Sequence, residues 1–214
     1  MTPGPRLLAI TDIERGAFED WLAALEQLLL CAAPGAVMVL LRDRQLGWRE
    51  RLRLGHVLRE LTRRHGHWLS VNDRLDLAVL CDADAVHLSG SSVAVADARA
   101  FGSCHARSWW VSCACHDPLD AATSAADALL LSPVAAPRKG REALGVGGVE
   151  RACAARAGRV PSVYALGGIT AANAASVVAA GADGVALIGA LLDPGAPEAL
   201  ARALGIERGA SSST

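Results

Sequence analysis

The chain has 214 residues, 52% hydrophobic and 20% charged, with a formal net charge of −1. That length and apolar fraction suit a single packed domain and exclude general disorder. A net charge near zero removes the electrostatic case for nucleic acid or membrane partners, yet small anionic metabolites need only a local cluster of positive groups. Residues 1–11 carry no basic region followed by an apolar run, and no stretch is long enough to span a bilayer, so the chain reads as cytoplasmic.

In chain order, short apolar runs flanked by turn residues predict eight strands: Leu7–Thr11, Val37–Arg42, Trp68–Val71, Ala85–Leu88, Trp109–Cys113, Ala128–Leu131, Ser162–Leu166 and Val185–Ile188. Near-continuous apolar runs of this length belong to parallel strands covered on both faces. Helical stretches are expected near 17–32, 48–65, 73–81, 93–101, 117–126, 142–157, 171–180 and 196–204. Asn72, Asp117-Pro118 and Thr170 mark helix starts, and Gly181 stands where a left-handed residue ends one. An internal repeat supports the alternation: Asp84-Ala85-Val86-His87-Leu88, Asp127-Ala128-Leu129-Leu130-Leu131 and Asp183-Gly184-Val185-Ala186-Leu187 each follow a helix with an aspartate and a strand. Eight βα units predict an α/β fold, a single (β/α)8 TIM barrel over 1–208, with an open doubly wound sheet as the alternative. Residues 209–214 read as a disordered tail. No feature of the sequence specifies an oligomeric state.

A barrel of this kind places its chemistry at the C-terminal ends of the strands. Gly167-Gly168 after the seventh strand and Ile188-Gly189 after the eighth let backbone N–H groups approach an anion, and these two loops commonly hold phosphate; the bland alternative is tight turns. Arg42 and Arg44 after the second strand read either as a pyrophosphate contact or as a solvated loop. Asn72-Asp73 after the third reads as a carboxylate for Mg²⁺ or as a helix cap with an acid in the first turn. Lys139 is the one lysine among 21 basic residues, in a glycine-containing loop that is either a phosphate-closing loop or plain surface. His87 and His116 lie in or just after the fourth and fifth strands, as structural or catalytic imidazoles. The six cysteines contain no CxxC pair; Cys113 and Cys115 would share one strand face, as buried thiols or as metal ligands.

These segments together resemble the thiamine phosphate synthase and TenI superfamily over roughly residues 6–193. The resemblance rests on Leu8-Ala9-Ile10-Thr11-Asp12, Leu41-Arg42-Asp43-Arg44, Val71-Asn72-Asp73-Arg74-Leu75-Asp76, Ala83-Asp84-Ala85-Val86-His87-Leu88, Ala165-Leu166-Gly167-Gly168-Ile169 and Ala180-Gly181-Ala182-Asp183-Gly184-Val185-Ala186. It implies a transferase of thiamine biosynthesis joining hydroxymethylpyrimidine pyrophosphate to thiazole phosphate, with small phosphorylated thiamine precursors as its partners. It further implies that Arg42, Arg44, Asn72 and Lys139 hold pyrophosphate, that Asp73 binds Mg²⁺, and that Gly167, Gly168, Ile188 and Gly189 hold the thiazole phosphate. The chain departs from the synthase pattern in places. Ser89-Gly90-Ser91-Ser92 replaces a run whose final aspartate is the second metal ligand, Leu40 replaces a glutamine, Val134 to Arg138 replaces a threonine-rich segment, and Gly189 replaces a serine. The serine-glycine-serine run is closer to TenI, whose thiazole tautomerase works without metal, but Pro133 stands where that enzyme has its histidine; His87 or His116 would then be the base. A barrel that binds a thiamine precursor without turnover is the third alternative.

Overall fold

The computed structural model describes residues 4–12, 18–42, 45–138, 140–156, 158 and 160–209. Eight parallel strands close into a barrel in sequential order: β1 (Leu7–Ile10), β2 (Val37–Leu41), β3 (Trp68–Asn72), β4 (Ala85–Leu88), β5 (Trp110–Cys115), β6 (Ala128–Leu131), β7 (Ser162–Leu166) and β8 (Gly184–Leu187). The helices are α1 (Phe18–Cys31), α2 (Trp48–His65), α3 (Leu75–Leu80), α4 (Val95–Cys104), α5 (Gly145–Ala155), α6 (Ala171–Ala179) and α7 (Ala196–Ala203). The predicted (β/α)8 TIM barrel is therefore the fold, and the open sheet is excluded by the pairing of β1 with β8. Residues 210–214 of the expected tail lie outside the described residues.

The two-residue period of each strand divides its side chains between two cores. Leu7, Val37, Val39, Leu41, Val71, Val86, Val111, Leu129, Val163 and Val185 point outward into the helix layer. Leu8, Ile10, Met38, Leu40, Ala85, Leu130, Tyr164 and Ile188 point inward and fill the barrel. At the N-terminal end of the strands, Trp110 packs edge-on against both Trp68 and Tyr164, with ring centroids 6.5 and 6.0 Å apart. This plug closes one end and leaves the C-terminal mouth as the open one. Cys113 and Cys115 share the outward face as expected; Cys115 donates to the Asp117 carbonyl, and burial pushes its thiol up to about 12, so it stays protonated.

The repeated aspartates have a structural reason. Each sits just before an even-numbered strand and accepts the N–H of a residue in the preceding odd-numbered strand: Asp84 from Leu69, Asp127 from Val111 and Asp183 from Val163, at 2.7–2.8 Å. An arginine from the intervening or preceding helical region completes each one: Arg59, Arg99 and Arg156.

Two expectations are corrected. Residues 117–126 do not form an α-helix but a single 3₁₀ turn, Pro118–Ala122. Asp117 caps it through Leu119 N–H, yet the Asp120 carbonyl accepts both Thr123 and Ser124, and Ser124 Oγ then accepts from Ala126, turning the chain toward β6. Nor does Asn72 cap α3. It is the last residue of β3, its amide donates to Asp73, and the position before the helix is Arg74.

Candidate active site

The C-terminal mouth holds a cavity of about 340 Å³. Its apolar base comes from the inward residues Ile10, Leu40, Leu130, Leu166 and Ile188, and its polar wall from Arg42, Asn72, His87, Ser89, His116, Arg138 and Arg141. Strand geometry explains the convergence: Leu40, Asn72, His87, Ala114 and Leu130 are inward positions of neighbouring strands. Arg42 continues the inward set of β2, and its N–H donates to Thr11 Oγ1 at 2.8 Å, which ties the ends of β1 and β2 together. Arg44 and Lys139, both singled out from the sequence, lie outside the described residues.

Asn72 is 8% exposed. Its Nδ2 donates to Asp73 Oδ2 at 2.6 Å, while its Oδ1 is buried without a hydrogen-bond partner. An orphaned acceptor on a cavity wall suits a donor group on a ligand. His87, 6% exposed, shares a proton with Ser112 Oγ through Nδ1 at 2.9 Å. His116 is exposed, and its Nδ1 lies 2.7 Å from the Ser132 carbonyl. A carbonyl only accepts, so that nitrogen carries the proton and Nε2 of the neutral ring is an acceptor.

A second cavity of about 670 Å³ adjoins the first, sharing Arg138, Leu166, Gly167 and Ile188 with it. Gly168, Thr170, Gly189 and Ala190 contribute to its backbone-rich wall, which also includes Asp193. Gly167 and Gly168 hold φ of 100° and 71°, a region that a side chain disfavours. A Cβ on Gly168 would also meet Ala136 N at 2.8 Å. The two glycines thus let the loop after β6 lie directly on the loop after β7, where Val134 and Ala135 donate to the carbonyls of Leu166 and Gly167. Asn173 fixes the turn from the other side, accepting from Thr170 N–H and donating to the Gly168 carbonyl, both at 2.9 Å.

Sequence reasoning passed over Arg138 and Arg141. They form an isolated antiparallel bridge, exchanging backbone hydrogen bonds of 3.0 Å in both directions. The Arg138-Lys139-Gly140-Arg141 run signalled a basic loop, but not that its two arginines face one another across a tight turn.

The model of the thiamine monophosphate synthase family matches residues 7–191. Among curated relatives, a thiamine-phosphate synthase of Methanoculleus marisnigri is 38% identical over 214 residues, covering 94% of each chain. One from Haloarcula marismortui is 41% identical over 174 residues, covering 79% of this chain and 82% of that protein. The solved thiamine phosphate pyrophosphorylase from Pyrococcus furiosus superposes with a TM-score of 0.77 at 26% identity, covering 94% of this chain and 95% of that one. The chain belongs to the thiamine monophosphate synthase family. It is accordingly an enzyme of the transferase type, on the barrel that this synthase and TenI share.

The resemblance drawn from the sequence implies Mg²⁺ at the carboxylate of Asp73. Its Oδ1 accepts from Ser89 N–H at 2.8 Å, and its Oδ2 from Ser89 Oγ at 2.8 Å and Asn72 Nδ2 at 2.6 Å. Burial works to raise its pKa, but the hydrogen bonds from Ser89, Ser92 and Asn72 outweigh it and hold the carboxyl below its ordinary value. Asp73 is absent from the cavity wall, and no aspartate or glutamate stands among the described residues lining it. Mg²⁺ takes one or two carboxylates with open lone pairs plus substrate phosphates. This donor set, already committed to protein hydrogens, does not suit it.

Proposed function

We propose that this enzyme condenses hydroxymethylpyrimidine pyrophosphate with thiazole phosphate, releasing pyrophosphate and forming thiamine phosphate. The observation that carries the reading is the pair of adjoining cavities at one barrel mouth, one walled by arginines and the other by glycine backbone. Two anionic substrates need two anion sites, and a shared wall at Leu166, Gly167 and Ile188 would hold their reacting atoms in neighbouring space. In the reaction the carbon–oxygen bond to pyrophosphate breaks and the electron pair leaves with pyrophosphate. The thiazole nitrogen lone pair then forms the new carbon–nitrogen bond, and no proton need move. The protein's task is therefore positioning and charge stabilisation.

Arg42 and Arg44, with Lys139, would receive the pyrophosphate, with guanidinium forks matched to phosphate oxygens. Gly167, Gly168, Ile188 and Gly189 would receive the thiazole phosphate. The unpartnered Asn72 Oδ1 would accept from the amino group of the pyrimidine. A thiamine phosphate formation assay with both substrates tests the reading. Product should form, and Arg42→Ala or Lys139→Ala should each lower kcat/KM by about 10²-fold or more. No product, with thiazole phosphate still bound, would transfer the reading to a thiazole tautomerase. One observation favours that second reading: the Ser132 carbonyl leaves His116 Nε2 as an available proton acceptor beside the cavity.

A further inference from the structure

Arginines line the cavity at the mouth, while the carboxylate of Asp73, just after β3, does not. Asp73 stands at φ 58° with its oxygens turned to Ser89 and Asn72, so it ties the ends of β3 and β4 together behind the cavity wall. Among the described residues the cavity is lined by Arg42, Arg138 and Arg141, and the last two are held in an arrangement that an anion would relieve. Arg138 and Arg141 exchange both backbone hydrogen bonds of their bridge. Residues paired in this way project side chains from the same face, with Cβ atoms about 5.5 Å apart, where like charges oppose each other. Neither makes an ion pair among the described residues, and both line the cavity.

The foot of this hairpin is tied down. Leu144 and Gly145 donate to the carbonyls of Pro133 and Val134 at 2.9 and 3.0 Å, and Val134 and Ala135 donate to those of Leu166 and Gly167. Gly140, at φ 72°, completes the tight connection between the arginines. The pair is therefore carried on a loop fastened to β6 and β7, and its two forks are presented together toward the same cavity.

We infer that the Arg138–Arg141 pair neutralises a diphosphate directly, so that this enzyme holds pyrophosphate without a resident divalent cation. Bidentate guanidinium contacts supply both charge and geometry for phosphate oxygens, and they replace what a metal bridging a carboxylate to the diphosphate would provide. The inference rests on the reading that this cavity receives a pyrophosphate, and its test separates the two. Inorganic pyrophosphate is titrated calorimetrically into the full-length protein, once in EDTA and once in excess Mg²⁺, and the series is repeated with Arg138→Ala and Arg141→Ala. Both side chains are exposed, so the variants should fold, and circular dichroism checks this. The expected result is binding in EDTA that Mg²⁺ does not tighten, and that each variant weakens by about tenfold or more, the loss of one bidentate contact. Binding seen only with Mg²⁺, or left unchanged by both substitutions, overturns the inference while the pyrophosphate cavity stands. No binding in either condition overturns the cavity reading and the inference together.

Discussion

At the scale of single residues, Asp73 combines a conformation that non-glycine residues seldom adopt, φ 58°, with hydrogen bonds to both carboxylate oxygens. Strained positions persist only where their surroundings over-determine them, and here the surroundings are Ser89 and Asn72. Because Asn tolerates the same backbone region, Asp73→Asn isolates the carboxylate's charge from the strain. That variant should lose about 1.5–3 kcal/mol in urea unfolding at pH 7, the range for hydrogen bonds to a charged group. A carboxyl held below its ordinary value contributes stability that is present above the unfolded pKa and lost as pH falls through the folded one. The wild-type advantage should accordingly shrink on acidification below about pH 4. An advantage that stays constant down to pH 2 would show that the ionised carboxylate is not the stabilising species.

The repeated aspartates belong to the scale of elements, since each joins an odd strand, the next even strand and an arginine in, or just after, the helix that precedes the odd strand. Their surroundings rank them. Arg156 and Asp183 are 8% and 19% exposed, whereas Arg99 and Asp127 are 44% and 32% exposed. Removing one member of a buried pair leaves the other charge unpaired, but an exposed arginine is solvated again. Asp183→Ala should therefore cost about 3 kcal/mol and Asp127→Ala about 1–2, mostly the lost bond to Val111 N–H. Equal losses in thermal or urea unfolding would contradict the clamp. This repeat was also the feature through which the barrel could be read from sequence, because helix, aspartate and apolar run recur in order. What was not legible depended on contacts between distant residues. The stretch 117–126 has helix-like composition, but the side chains of Asp117 and Ser124 accept backbone N–H groups of Leu119 and Ala126 and hold it to a single turn. Ser92 announced a missing acid, yet only the fold reveals that Ser89 occupies the remaining one. Arg138 and Arg141, three residues apart, become a pair only when the turn between them closes.

Across the whole molecule, the two ends of the barrel carry separate burdens, catalysis at the C-terminal mouth and closure at the N-terminal floor. At the floor, His67 joins three elements: its Nε2 donates to the Leu29 carbonyl of α1 at 3.0 Å, its Nδ1 accepts from Val37 N–H of β2, and β3 follows it directly. The end of the described chain returns to the same place, where Ala33 donates to Ile206 and Arg208 donates to Cys31 and His65. Burial, aided by the charges of Arg208 and His65 and opposed by the Leu29 carbonyl, pushes His67 below the usual imidazole value of 6.5. The fold thus favours the neutral ring. Stability from this group is complete above pH 6.5 and is lost as pH falls from there through the lowered folded value, because the unfolded chain takes up the proton first. Gln at position 67 can retain a donor and an acceptor without titrating. Urea midpoints measured at pH 7.5 and pH 5.5 should fall further for the wild type than for His67→Gln, while thiamine phosphate formation at pH 7.5 should be unaltered by the substitution. Equal falls would place the acid sensitivity elsewhere, and lost activity at pH 7.5 would mean that the floor and the mouth are coupled.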